Sequence, residues 1–371
     1  MARKRSLKAT NKPLKEYLDQ AAVAELAATM TRHCRGFQRP TFVEQVVTQN
    51  LLSLELKDRA MRVAAALHQF LPDDYSRAVA ILVKVAPGLP WYLQWVLTAY
   101  VEQFGLEHFE TSVAAMKELT IHSSAEFAIR PYMIRYTDRM MAVLSQWILD
   151  DNEHVRRLAA EGCRPRGVWV AHIEQFKRDP RPVLQLLEQL KADSSEYVRR
   201  AVANNLNDIS KDNPAMFIET ARRWQKEGNA VTDGIIKHAA RTLIKKGDPR
   251  ALALFGCAAS PNIAVGHFEA SRKRLRIGDS VALSVQLKSK ARQKQKLVID
   301  YRVHFIKANG KTSPKVFKWT QKSLGAGETV ALKTRHAFVD HSTRKHRPGM
   351  HSVELVVNGK VVANVTVLLA T

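Results

Sequence analysis

Three carboxylates and one tryptophan fall in phrases whose residue types could do chemistry together. Glu126 lies in Ser124-Ala-Glu126-Phe-Ala-Ile-Arg130-Pro-Tyr132, read as a helix otherwise rich in apolar residues. Glu161 closes a helical phrase just before the break Gly162-Cys-Arg164-Pro-Arg166, and Trp169 follows eight residues after it. Asp208 sits in Asn204-Asn205-Leu-Asn207-Asp208-Ile-Ser-Lys-Asp212. Carboxylates can move protons or oppose a positive charge as it develops, and an indole face attracts cations. Each residue alone also has a plainer reading. A helix Glu is usually solvated or ion-paired, and Arg156, Arg157 and Arg164 are near in sequence. Trp169 fits a core position, and Asp208 fits a cap. Carboxylates and a Trp gathered on one basic surface are rarer, and together they point to a reaction.

The elements that must position these residues are written as a repeat. Glu153-His-Val-Arg156-Arg157-Leu-Ala-Ala-Glu161 returns 43 residues later as Glu196-Tyr-Val-Arg199-Arg200-Ala-Val-Ala-Asn204. A looser third copy follows at Asp233–Arg241. Periods of roughly 40 to 47 residues built from helix pairs mark HEAT-type solenoids. Such pairs cannot bury their apolar faces alone, so they stack, and stacking makes a long concave surface. The same offset puts Asn204 where Glu161 stands, so the acid is not a fixed part of the repeat.

The charge favours an anionic partner. The chain has 371 residues and a net charge of +23, and a basic concave solenoid suits a long polyanion. Residues 261–371 carry 21 Lys and Arg against 6 Asp and Glu, far more lopsided than the rest. Solubility alone is the bland account of such charge. Three scattered cysteines with no CxxC argue against a zinc site or a disulfide framework. The basic start has no apolar run after it, and no stretch of 18 apolar residues occurs. Neither a signal peptide nor a membrane span is expected.

Residues 1–13 read as a flexible basic arm. From 14 to 258 the apolar period is near 3.6, and one continuous right-handed solenoid is expected. Leu14, Tyr17, Leu18, Ala21 and Ala22 open its first amphipathic helix, and Phe42, Val46, Val47, Leu51 and Leu52 start another. Breaks are expected at residues 71–74, 87–90, 162–165, 179–182, 212–214 and 247–249, where Pro, Gly and Asp cluster. After Ser260-Pro261 the period becomes 2, as in Val281-Leu283-Val285-Leu287. Residues 353–367 read as a hairpin turning at Asn358-Gly359. About seven short strands over 261–371 predict an immunoglobulin-like β-sandwich without disulfides. The fold class is therefore mainly α, a HEAT-like α-solenoid followed by a small all-β sandwich.

Three basic segments of the sandwich are expected to contact phosphates. They contribute Arg272, Lys273 and Arg274; Lys288, Lys290, Arg292 and Lys294; and Arg344, Lys345 and Arg347. They sit in loops or at strand ends, where binding residues concentrate, and such contacts position a protein without reading sequence. Arg156, Arg157, Arg164, Arg166, Arg199 and Arg200 are the expected contacts of the solenoid.

At Ser-Ala-Glu126-Phe-Ala-Ile-Arg-Pro-Tyr, Val-Arg-Arg-Leu-Ala-Ala-Glu161-Gly-Cys-Arg-Pro-Arg166, Trp169 and Val-Arg-Arg-Ala-Val-Ala-Asn-Asn-Leu-Asn-Asp208-Ile-Ser-Lys-Asp, the chain resembles the AlkC branch of the HEAT-like DNA glycosylases, the group that also contains AlkD. The resemblance runs from about residue 15 to the C-terminus. In one place the chain departs from it: Arg-Pro-Arg-Leu-Pro-Trp is expected in relatives, and here the phrase reads Arg164-Pro-Arg166-Gly-Val-Trp169. The resemblance implies base excision repair, with removal of cationic N-methylated bases, 3-methyladenine foremost and 3-methylcytosine second. It makes Glu161, Asp208, Glu126 and Trp169 the catalytic residues. It implies no cofactor and no metal, a monomer acting on double-stranded DNA that contains alkylated bases, and a place in the bacterial cytoplasm at the nucleoid. It also implies a sculpted duplex with no deep base pocket.

Two other function classes compete. A non-catalytic HEAT scaffold could bind nucleic acid or an acidic protein, but it has no need of carboxylates facing a phosphate backbone. A peripheral membrane protein would need a segment with one Lys/Arg face and one bulky apolar face, and none is present.

Overall fold

A computed structural model describes residues 12–48, 50–341 and 344–370. The basic arm expected for 1–13 lies outside the described residues, apart from Lys12 and Pro13. The chain forms two compact units that divide between Asp212 and Asn213.

The first unit is helical. Its helices are α1 (Gln20–His33), α2 (Arg39–Thr48), α3 (Leu56–His68), α4 (Tyr75–Val85), α5 (Trp91–Phe104), α6 (Phe109–Thr120), α7 (Ile129–Arg135), α8 (Thr137–Trp147), α9 (Glu153–Gly162), α10 (Glu174–Arg178), α11 (Arg181–Leu190) and α12 (Glu196–Asp212). The first expected helix is broken: Leu14–Tyr17 form a 3₁₀ turn, and α1 starts only where the Asp19 carboxylate accepts from the Ala22 amide. This is an N-cap, and it stops the helix from extending backwards. Likewise α2 ends at Thr48, and Leu51–Ser53 form a separate 3₁₀ turn in which Leu52 is exposed. α5 buries Leu93, Val96, Leu97, Tyr100 and Val101, as its continuous apolar run requires.

The repeat has a polar ladder as well as an apolar one. Asp150 and Asp193, 43 residues apart, each accept from the amide two residues on, at 2.8 Å, and so turn the chain into α9 and α12. Arg156 and Arg199 each donate to two carbonyls in the turn before their own helix. Asp150 is bridged by Lys117 of α6, and Asp193 by Arg156 of α9, both at 2.7 Å. α6 is thus pinned to the turn before α9, and α9 to the turn before α12, by a cation reaching the turn aspartate. His154 and Tyr197, equivalent in the repeat, meet edge to face at 5.5 Å.

The second unit holds α13 (Pro214–Lys226), α14 (Ala230–Ala239), α15 (Arg241–Lys246) and α16 (Pro249–Ala253), then eight strands. These are β1 (Ile263–Ala270), β2 (Arg274–Arg276), β3 (Ser280–Ser289), β4 (Gln295–Ile306), β5 (Thr312–Leu324), β6 (Thr329–Ala337), β7 (Gly349–Val357) and β8 (Lys360–Ala370). One sheet runs β1-β3-β6 and the other β2-β8-β7-β4-β5, antiparallel except for the β2–β8 pair. Val281, Leu283, Tyr301, Val303, Phe338, Val353 and Val367 fill the core between them. On the outer face of β4, Val298 packs with Leu252 and Cys257. That contact joins the last helix to the sandwich and explains why β4 is buried on both faces.

The β7–β8 turn has positive φ at both Asn358 and Gly359, the geometry of a type I′ hairpin. Asn358 also docks the turn: its side-chain oxygen accepts from the Val298 amide at 2.7 Å, and its amide donates to the Ala258 carbonyl at 2.8 Å. Here the backbones of Gly247 and Gly359 meet so closely that a Cβ on Gly359 would fall 2.0 Å from the Gly247 Cα. Among the described residues no helix is long and apolar enough to cross a membrane.

Candidate active site

Glu126, Glu161 and Asp208 are brought together in the first unit, joined by arginines into one chain of ion pairs. Glu126 is not on a helix. It lies in the turn before α7, where the Ser124 hydroxyl accepts from its amide at 3.3 Å. The helix begins only at Ile129, and Pro131 occupies its first turn, where a missing N–H costs nothing. Glu161 is the penultimate residue of α9. Asp208 lies within the last turns of α12 and is 1% exposed.

Arg157 donates to Glu126 Oε2 at 2.6 Å and to the Ser124 hydroxyl, and it stands 3.7 Å from Glu161 Oε2. Its guanidinium also lies 5.2 Å from the Tyr197 ring centroid. Arg164 donates to Glu161 Oε1 through Nη1 and to Asp208 Oδ2 through Nε at 2.7 Å. Lys211 occupies Asp208 Oδ1 at 2.7 Å. Burial pulls both guanidinium pKa values down, and the neighbouring carboxylates more than offset it, holding Arg157 and Arg164 above the ordinary range. Removing one member of such a buried set leaves its partner uncompensated.

The oxygens differ in what they can still do. Both oxygens of Asp208 are occupied. Among the described residues, Glu161 Oε2 and Glu126 Oε1 accept no hydrogen bond. The Glu161 side chain is 10% exposed and that of Glu126 28%. These two oxygens can face a cation or a water. Trp169 follows in the loop that Arg164 opens. It is 69% exposed and has φ 60°, a left-handed conformation that a bulky residue adopts only under local constraint.

The other expected contacts separate into two kinds. Arg156 and Arg199 serve the turns described above. Arg166 forms a bidentate pair with Asp212, at 2.6 Å for both bonds, and lowers that carboxylate's pKa. Arg200 is exposed and paired with Glu196. In the second unit Arg272, Lys273, Arg274, Lys288, Lys290, Arg292, Lys294, Lys345 and Arg347 are exposed. Arg344 is half-buried, its guanidinium 4.4 Å from the Phe305 ring centroid. Sequence reasoning gave no role to Ser124, Tyr197, Lys211 or Asp212. The last two were visible three and four residues after Asp208, the spacing at which helical side chains meet. Among the described residues no group of three or more His, Cys, Asp or Glu side chains could hold a metal ion.

Comparison with known proteins matches residues 11–243 to the model of the DNA alkylation repair enzyme family. The chain belongs to that family. Residues 264–371 match a second model, the C-terminal Ig-like domain of the uncharacterised protein YhaZ. The chain is 40% identical over 348 residues to "Uncharacterized protein YhaZ" of Bacillus subtilis (strain 168), covering 94% of this chain and 97% of that one. It is similar throughout to the solved structure of Pseudomonas fluorescens alkylpurine DNA glycosylase AlkC bound to DNA containing an abasic site analog. That match has a TM-score of 0.91 and 38% identity, and covers 97% of this chain and 100% of that one. The HEAT-like and immunoglobulin-like architectures expected from the sequence are thus those of an alkylation-repair family member.

Proposed function

We propose that this family member is a DNA glycosylase that hydrolyses the N-glycosidic bond of cationic N-methylated bases in double-stranded DNA, 3-methyladenine foremost and 3-methylcytosine second. The observation that carries the reading is the Glu161 carboxylate. One of its oxygens is held by Arg164, and the other accepts no hydrogen bond among the described residues, with Arg157 3.7 Å from it and the side chain 10% exposed. Likeness to a glycosylase bound to abasic-site DNA supports the same substrate class.

An alkylated base that already carries a positive charge needs no proton to leave. The C1′–N bond breaks, its electron pair goes to the base, and the base departs neutral. Positive charge then rises on the deoxyribose, where Glu161 Oε2 opposes it. A water attacks C1′ and gives its proton to a carboxylate, for which Glu126 Oε1 is the open acceptor. The two-carboxylate logic of glycoside hydrolysis is a partial parallel. Asp208 acts one step back, holding Arg164 and through it Glu161. Trp169 offers its face to the cationic base or sugar before the bond breaks. The exposed cations of the second unit contact phosphates and position the duplex.

The test is release of free base from methylated duplex DNA by the purified protein, resolved by chromatography. Release of 3-methyladenine is expected. Duplex binding with no base released would return the chain to the reading of a scaffold.

A further inference from the structure

Arg130 takes no part in the reaction just described, yet it is enclosed beside it. The residue is 3% exposed, and burial pushes its guanidinium pKa down to about 10. Burying a cation without a carboxylate partner is costly unless its donors are satisfied, and here four of the five N–H groups donate to backbone carbonyls. Nη1 donates to the carbonyls of Gly162 and Arg164 at 3.0 and 2.7 Å. Nε and Nη2 donate to the carbonyl of Ala171 at 3.2 and 2.6 Å. Gly162 and Arg164 are the chain just after Glu161, and Ala171 lies two residues beyond Trp169. A single planar group therefore fixes both ends of the segment that carries Trp169. The Ile173 amide, donating to Pro165 at 3.0 Å, adds a second tie. Within that closed loop Trp169 holds its left-handed backbone.

We propose that Arg130 is a positioning residue that clamps loop 165–172 and so sets Trp169 relative to Glu161. The effect on rate rests on the glycosylase reading; the clamp itself does not. The fork of the guanidinium is essential. A lysine ammonium is a compact point donor with a shorter reach, and it cannot span the three carbonyls that the in-plane edges of the fork hold together. Displacing a group at a reacting centre by about 1 Å can cost on the order of 100-fold in rate.

The experiment compares the full-length protein with Arg130→Lys, Trp169→Ala and the double variant. Amide hydrogen exchange at Ile173, whose amide closes the loop on the Pro165 carbonyl, reads the clamp without substrate. Arg130→Lys is expected to speed exchange there by about 10-fold or more while the amides of α9 keep their protection. Unchanged exchange at Ile173 overturns the proposal. Single-turnover excision reads the consequence: Arg130→Lys alone should slow it by about 30-fold with duplex affinity nearly unchanged. Added to Trp169→Ala it should cost less than about threefold more, because the two act as one unit. Additive losses would mean a merely structural role and overturn it too. If the native protein releases no base, the glycosylase reading fails while exchange still decides the clamp. Should Arg130→Lys not fold, Gly167→Ala tests the same loop. Its Cβ would stand 2.3 Å from Val170 Cγ2 and 3.6 Å from Arg130 Cζ. It should loosen the loop likewise, and unchanged exchange at Ile173 would refute the clamp.

Discussion

Glu161→Gln separates charge from shape at the centre of the ion-pair chain. The amide oxygen can still accept from Arg164, so that bond survives. What disappears is the negative charge 3.7 Å from Arg157 Nη2. At an effective dielectric near 20 that attraction is about 4 kcal/mol. Most of it is offset by desolvating side chains that are only 10% and 14% exposed. A net stability loss of about 1–3 kcal/mol remains. The rate should fall much further, by about 10²–10³, because the lost charge is the one that opposes the sugar cation. Duplex affinity should hold or rise: for a phosphate about 8 Å away through water, removing one negative charge is worth about twofold. Single-turnover excision and a binding titration on the same duplex read the two effects apart. Asp193→Asn is the matched control, since it weakens the Arg156 pair in the repeat ladder and should cost stability with near-native excision. The reasoning is refuted if Glu161→Gln excises within about threefold of the native protein, or if Asp193→Asn loses as much activity.

Trp169→Gly should raise the melting temperature slightly, because glycine takes φ 60° without the cost of about 1 kcal/mol that a bulky residue meets there, while excision is lost; thermal melts with a base-release assay check both. Replacing Lys288, Lys290, Arg292 and Lys294 by Ala should flatten the salt dependence of duplex binding, each lost phosphate contact lowering the log–log slope by about 0.9; an unchanged slope would show that this loop does not touch DNA. In the sandwich, burial raises the Asp300 pKa to about 6 and lowers that of His336 to about 4. The shifts oppose each other: the raised carboxyl stabilises at low pH and that stability is lost as pH rises toward 6, whereas the neutral histidine loses stability as pH falls from its ordinary value toward 4, each by about 3 kcal/mol. Denaturant midpoints should therefore be nearly flat between pH 4 and 6 in the native protein, and Asp300→Asn should make them fall steeply on acidification.

The sequence was most readable where structure follows local chemistry. All six predicted breaks fall at helix boundaries, because Pro, Gly and Asp act within a turn of where they stand. The change of period at Ser260-Pro261 lies between the end of α16 at Ala253 and the start of β1 at Ile263. Asn358-Gly359 turned the hairpin because its φ requirement is local. Polar burial was not readable. Asn205, Asn207, Asp208 and Ser210 are all buried along α12, against the alternation that periodicity expects. Asn205 shows why: it donates to the Ala160 carbonyl, a residue 45 positions away. The Arg-Arg pairs looked like phosphate contacts, but the first of each holds carbonyls of its own preceding turn. A signal for that existed, since Asp150 and Asp193 repeat at the same 43-residue offset as the arginines. Nor does sequence show that Val298 meets Leu252 and Cys257, the contact that joins helices to sheet in the second unit.

If the three carboxylates face a polyanion, as the glycosylase reading requires, they must be kept from repelling it, and the interleaved chain can do so. Glu126, Arg157, Glu161, Arg164, Asp208 and Lys211 alternate in sign, so the group is close to neutral at a distance while each oxygen remains a strong local charge. On the glycosylase reading the same alternation sets selectivity. The donors in the chain are guanidinium and ammonium groups already held by carboxylates, and a guanidinium does not give up its proton. An ordinary purine would have to leave as an anion or be protonated on the way out, and these groups offer it neither a proton nor a free cation. An N-methylated base carries its own positive charge and leaves neutral. Discrimination therefore lies in the leaving group, which a carboxylate facing the sugar can exploit without enclosing the base.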